Sequence, residues 1–265
     1  MDLKNIHKNA KEIKNILCLP TYPLAIKMLS SKEDIPNEAK RPLKDMGYHL
    51  DLCQAFAISR WEKKTIAMFK EDMWCMSPTI SLGFVKPSLE YLEGSHHLSS
   101  AMNQNAARNV VQSFPRFKVG EYTGIVFAPL EKCSFEPDLF IIYCEPHHLT
   151  HILVMKNCID GENVTSVLSG HGACIFAVVP TMQNKKCNVI SPCKGAREDA
   201  MTQNNEVIFS APIEILEDLI KASYYLDKHG EGMPLSFKLQ YERKLKDGYA
   251  DIGRTMGIKY NGVTN

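Results

Sequence analysis

The sequence contains no Cys-x-x-Cys pair among its nine cysteines, which argues against a zinc ribbon, a thioredoxin-like dithiol or a ferredoxin-type cluster run. It also has no Walker loop, Rossmann glycine fingerprint, Gly-x-Ser-x-Gly elbow or HExxH. The usual nucleotide, hydrolase and zinc-protease readings fall with them. No stretch approaches the roughly 18 consecutive apolar residues of a membrane span. The segment Met1–Leu17 is rich in Lys and Asn and lacks the apolar core of a secretory leader, so a cytoplasmic address is expected. Neither sign of charge is in excess: 31 Lys+Arg against 30 Asp+Glu give a net charge of +1. That balance gives no electrostatic reason to expect nucleic acid or an anionic membrane as partner, and leaves a small molecule as the expected ligand.

What is present is a chain of 265 residues, 45% of them hydrophobic, enough for one large or two small domains with a sizeable core. Apolar spacing predicts helices over 3–17, 52–61, 99–113, 147–156, 173–179, 194–202 and 213–228. A helix starts at Ser77-Pro78, and a further one is predicted over 236–248. Strands are predicted over 22–29, 65–69, 122–127, 139–143, 164–168, 187–190 and 206–210. The continuous apolar runs YTGIVF and LFIIY suit strands covered on both faces. Strands alternating with helices predict a mixed α/β (α+β) fold.

A faint repeat runs through the chain. Cys53 opens a helix, followed by Lys63-Lys64, a strand, Cys75 and a second helix; Cys174, Lys185-Lys186, a strand, Cys193 and a helix repeat that order. This implies two related α/β halves around mixed sheets, 1–120 with Cys53 and Cys75 and 121–230 with Cys174 and Cys193, followed by a helical tail, 231–265. The four cysteines would then converge near a pseudo-twofold axis.

Those four share one local setting, the junction that opens a helix. Free amide N–H groups and the partial positive charge of a helix start stabilise a thiolate, the form that binds metal or attacks an electrophile. Their separations of 22, 99 and 19 positions match no motif, and structural thiols at tight helix starts remain an alternative. Cys18, Cys144 and Cys158 read as small core hydrophobes, and Cys133 as exposed in a turn. His147, His148 and His151 read as a solvated helix face, and His96-His97 as an exposed loop pair. His171 lies three residues before Cys174, placed to donate a proton, ligate or stabilise the turn. Arg197 falls just after Cys193, where a cation opposes the helix dipole, which points to an anionic ligand or a buried carboxylate partner.

These residues together resemble the family called domain of unknown function 169, found in archaea and anaerobic bacteria. The carrying segments are Tyr22–Lys27 (YPLAIK), Cys53–Phe56 (CQAF), Cys75 with Leu82-Gly83, Ala128–Glu131 (APLE), Phe135–Asp138 (FEPD) and Cys193–Arg197 (CKGAR). The likeness spans about residues 10–228. It departs from the family at Met76-Ser77-Pro78 and Trp61-Glu62-Lys63, where glycine-containing segments are usual. The resemblance implies that Cys53, Cys75, Cys174 and Cys193 match the family's cysteine positions, and it implies no established reaction.

The leading expectation is a cysteine-ligated metal or iron–sulfur protein with redox or Lewis-acid chemistry. Arg197 and Lys27 would orient a small anionic substrate and His171 would move a proton. A non-catalytic module binding a small ligand, haem or a corrinoid is the first alternative, and a metal-free thiol enzyme using Cys193 or Cys174 the second.

Overall fold

The computed structural model describes residues 2–232 and 248–258. The chain divides into two compact units, Met1–Gly232 and Met233–Asn265. The first unit runs α1 (Leu3–Ile16), β1 (Leu24–Leu29), α2 (Leu52–Glu62), β2 (Ile66–Phe69), α3 (Met76–Ser81), α4 (Leu89–Leu92) and α5 (Gln104–Ser113). It continues with β3 (Gly124–Pro129), β4 (Leu139–Cys144), α6 (Pro146–Asp160), α7 (Ala173–Asn184), β5 (Asn188–Ile190), α8 (Lys194–Asp199), β6 (Val207–Pro212) and α9 (Leu216–Lys228). In the second unit the described residues form α10 (Tyr249–Thr255); the helix predicted over 236–248 lies almost wholly outside the described residues. Among the described residues no helix is long and apolar enough to cross a membrane.

The fold is mixed α+β. One six-stranded sheet, in the order β2-β3-β1-β4-β6-β5, replaces the expected mixed sheets, and every pairing in it is antiparallel. The chain order divides after β3 and not at the predicted 120/121, and the two halves join in this sheet through β1 and β4. The order reads the same from either edge when β1, β2 and β3 are exchanged for β4, β5 and β6. The registers obey the same exchange. Leu24 faces Pro129 across β1·β3 as Leu139 faces Pro212 across β4·β6. Ile66 faces Phe127 as Asn188 faces Ser210. At the centre, the pairs Leu24–Ile141 and Ile26–Leu139 flank Ala25–Phe140.

Strand alternation divides the core into two layers. Leu24, Ile26, Met28, Leu139, Ile141 and Tyr143 face α2 and α7, while Ala25, Leu29, Phe140 and Ile142 face α1, α6 and α9. The segment Phe135–Asp138 fixes the central register. Asp138 N donates to Ile26 O at 2.8 Å, and its carboxylate accepts from Met28 N at 2.8 Å.

Several elements differ from their predicted form; the helix predicted over 99–113 begins only at Gln104, and the one over 194–202 ends at Asp199. Val164–Leu168 is no strand: Val167 and Leu168 are 66% and 68% exposed, and no ladder partner faces them among the described residues. The helix predicted to end at 179 runs through Pro180 to Asn184. A proline there strips the carbonyl of Phe176 of its helical donor, and the buried side-chain amide of Asn188 on β5 replaces it at 2.8 Å. Helix α3 starts one residue before Ser77, with Cys75 itself as N-cap.

A buried ion pair ties the last turn of α2 to the entry of β6. Arg60 Nη1 and Nη2 donate to the two carboxylate oxygens of Glu206 at 2.6 and 3.0 Å, with the side chains 0% and 4% exposed. The guanidinium also lies 4.0 Å from the Tyr143 ring centroid. Removing one partner strands a buried charge and costs about 3–5 kcal/mol. Arg60→Met and Glu206→Gln are therefore expected to destabilise by that order in denaturant unfolding, with the double variant Arg60→Met/Glu206→Leu recovering part of the loss; losses under about 1 kcal/mol would contradict this role.

Candidate functional site: a cluster of four thiols

Each of the four cysteines is placed by a helix start. Cys53 and Cys174 occupy the second position of α2 and α7, while Cys75 and Cys193 are the N-caps of α3 and α8. The two pairs are related by the same exchange of halves that relates the strands. Helices α2 and α7 even end alike, on Lys63 and Lys185 in the left-handed conformation, at φ 59° and 51°. Helix α2 packs against α7 and α8, and α3 against α7, which draws the four starts together over one face of the sheet. Gly172 makes the turn into α7. Its φ is +66°, and a Cβ there would meet Ile175 and Phe114 at 3.1 Å, so a side chain would be both strained and crowded.

The thiols lie within one another's electrostatic reach. Burial is the main influence on Cys53, Cys75 and Cys174, and it pushes all three thiols up, Cys75 to about 11. Cys193 raises each of them further, as does Asp51 for Cys53 and Cys75. The amides of Gln54, Ser77 and Ile175 act in the opposite direction, as expected of helix starts, but more weakly. The sequence argument thus named the right stabilising groups, and desolvation outweighs them. Beneath the cluster, the fully buried Tyr143 phenol is also pushed up by burial, with Cys53 and Cys174 adding to it and Arg60 opposing. Asp51 is raised by burial and by Asp199, and its Oδ1 is buried without a hydrogen-bond partner among the described residues. Among the described residues no three His, Cys, Asp or Glu side chains already stand in a metal-holding arrangement. Shared ligation therefore requires the thiols to turn toward a common point.

The other candidates divide. His171 stands beside the cluster, its ring 4.9 Å from His97. His97 lies 4.2 Å from His96, whose Nε2 is 3.3 Å from Ser77 Oγ, two residues beyond Cys75. The three imidazoles form a row from the start of α3 to the approach of α7. Burial and the two neighbouring rings hold His97 down at about 4, so it is neutral at physiological pH. His97 is thus packed rather than exposed as expected. Lys27 is not brought to the site: its neighbours Ala25 and Leu29 pack on the far face of the sheet, and its Nζ donates to Glu136 O at 3.0 Å. Arg197 directs Nη1 to the carbonyl of Gln203 at 2.5 Å rather than to a carboxylate. Cys144 is buried as expected, but Cys133 is buried in the hydrophobic core beside His7 instead of exposed, and Cys18 and Cys158 are exposed instead of core.

Asp51, Tyr143 and Arg60 were not singled out as site residues from the sequence. Asp51 was legible only as a helix cap. The alternation along β4, which puts Leu139, Ile141 and Tyr143 on one face, was the available signal for Tyr143.

Cys75 holds its proton more tightly folded than at its ordinary value of 9.0. The resulting stabilisation is intact below pH 9 and lost as pH rises toward about 11. The metal-free protein should lose more thermal stability over that interval than Cys75→Ala does; parallel declines in the two would contradict the assigned burial.

The profile of the family described as "Uncharacterised ArCR" matches residues 12–222. An uncharacterised protein of Methanocaldococcus jannaschii is 26% identical over 226 residues, covering 84% of this chain and 95% of that protein. No solved structure matches significantly. The matched span takes in all six strands and all four clustered cysteines, and the chain belongs to the domain of unknown function 169 family.

Proposed function

We propose that Cys53, Cys75, Cys174 and Cys193 ligate a thiophilic metal centre, either an iron–sulfur cluster or a single soft metal ion, and that the protein performs redox or Lewis-acid chemistry on a small molecule there. The observation that carries this reading is electrostatic. One buried thiol, Cys174, three half-buried ones and Asp51 act on one another, and among the described residues no lysine or arginine is one of the largest influences on Cys53, Cys75 or Cys174. Such a set is poorly solvated as thiolates and lacks one thing, a positive charge at its centre. A metal supplies it, and binding would release the protons that burial retains. The donor set fits: thiolates suit iron–sulfur clusters and soft ions. When bound, such a centre supplies electron transfer, or Lewis acidity if one metal position is left to substrate.

The chain's own groups have definable parts. The amides at the helix starts would hydrogen-bond the sulfurs and set their electron density. His171 would move a proton on the Cys174 side, with His97, held neutral, packed against it as a neighbour and not as a proton carrier. The matched strand orders and registers support reading the chain as an internal duplication, each half contributing one thiol at a second helical position and one at an N-cap. The placements of Lys27 and Arg197 give no support to an anionic substrate. A metal-free nucleophilic thiol needs a depressed pKa, and burial drives Cys53, Cys75 and Cys174 the other way.

Anaerobic purification followed by iron, zinc and acid-labile sulfide analysis tests the reading. Stoichiometric metal is expected, with visible absorbance if the centre is a cluster. Alanine at any of the four positions should lower metal content severalfold, while Cys18→Ala and Cys158→Ala leave it unchanged. A metal-free wild type, or equal content in all six variants, would overturn the proposal and favour a cofactor-binding or thiol module.

A further inference from the structure

An open cavity of about 540 Å³ lies beside the segments that carry Cys53 and Cys75, lined by Tyr48, His49, Asp51, Gln54 and Trp74, with Asp199 from the end of α8. One isolated parallel bridge, between Leu50 and Met73, builds it. Leu50 N donates to Asp72 O at 3.1 Å and Trp74 N to Leu50 O at 2.9 Å, which sets the loop bearing Tyr48, His49 and Asp51 beside Trp74. The buried carboxylate of Asp72 anchors this arrangement by accepting from Arg41 Nη2 at 2.7 Å and from Phe69 N at 3.0 Å. Asp199, at the end of α8, closes the other side.

The lining carries two carboxylates, Asp51 and Asp199, which repel each other, and His49 is its one basic side chain among the described residues, with Lys64 acting on Tyr48 from outside it. Asp51 Oδ1 is buried and has no hydrogen-bond partner among the described residues. Trp74 is 74% exposed and its ring lies 5.8 Å from that of His49, and Tyr48 is 52% exposed. Large aromatic rings left in solvent beside two carboxylates suit one kind of occupant. A hydrated divalent ion would use oxygen ligands and gain nothing from the rings. An alkylammonium ion uses both, through the negative faces of the rings and the carboxylate charge.

We infer that this cavity binds a small organic cation, an alkyl- or methylammonium group, as substrate for the neighbouring thiol centre. As a statement of substrate class the inference rests on the proposed thiol centre; as a binding site it stands apart from it.

The test uses tetramethylammonium as cation probe and tert-butanol as its neutral counterpart, at constant ionic strength, on the full chain. Trp61 and Trp74 are the only tryptophans, so Trp61→Phe leaves Trp74 as sole reporter. Saturable binding of tetramethylammonium is expected by calorimetry and by Trp74 emission, with none for tert-butanol. Asp199→Asn and Trp74→Leu, both surface changes, should each weaken calorimetric binding by about tenfold with unchanged melting temperature. No saturable response in the wild type, equal affinity in both variants, or equal binding of tert-butanol would overturn the inference. Metal analysis of the same samples separates the two claims. Cation binding by a metal-free protein leaves the cavity standing and removes the centre; a metal-loaded protein that ignores the cation does the reverse.

Discussion

The antiparallel pairing of β1 with β4 is the constraint on which the rest of the structure depends. Only three residue pairs join these strands, centred on Ala25 and Phe140, yet every other strand is placed relative to them. Because side chains alternate along a strand, a slip of one residue would send Leu24, Ile26 and Met28 to the wrong layer. Asp138 guards against that slip by tying both a main-chain and a side-chain bond to β1. Once the central pair is set, β3 and β6 add in matching registers, and α2 and α7 cross the same face. The helix starts then meet over that face, and the thiols with them.

Convergence has an electrostatic consequence. A lone helix start lowers a thiol's pKa, but gathering several thiols and Asp51 in a desolvated place reverses the sign for Cys53, Cys75 and Cys174. Nearby charge is not scarce: Arg60 lies against Tyr143, under the cluster, but its charge is spent on Glu206. Among the described residues the site thus combines acids with no lysine or arginine as a leading influence on the three thiols, above a scaffold tied by the Arg60–Glu206 pair. That combination favours occupation by something positive, whether at the sulfurs or at the cavity beside them.

Much of this was legible in the sequence. The spacing of apolar residues found both long helices of the site, and the rule that Asp caps a helix found the start of α2 at its true position. The four cysteines were separable from the other five because all four precede or open helices. What was not legible depends on long-range contacts. Nothing local reveals that β3 inserts between β1 and β2, since the 54 residues between β2 and β3 (70–123) carry no pairing code. Pro180 reads as a stop, and only the amide of Asn188 arriving from β5 lets the helix continue. Lys27 reads as an available cation until strand alternation places it on the far face. The burial that raises the thiols is likewise a property of the assembled layers.

The central claim is that four sulfurs from four helix starts share one metal centre. X-ray absorption at the metal edge of the anaerobically loaded full chain addresses it directly. A first shell of three or four sulfurs at about 2.3 Å is predicted. A shell of nitrogen and oxygen alone would contradict the account and place any bound metal away from Cys53, Cys75, Cys174 and Cys193.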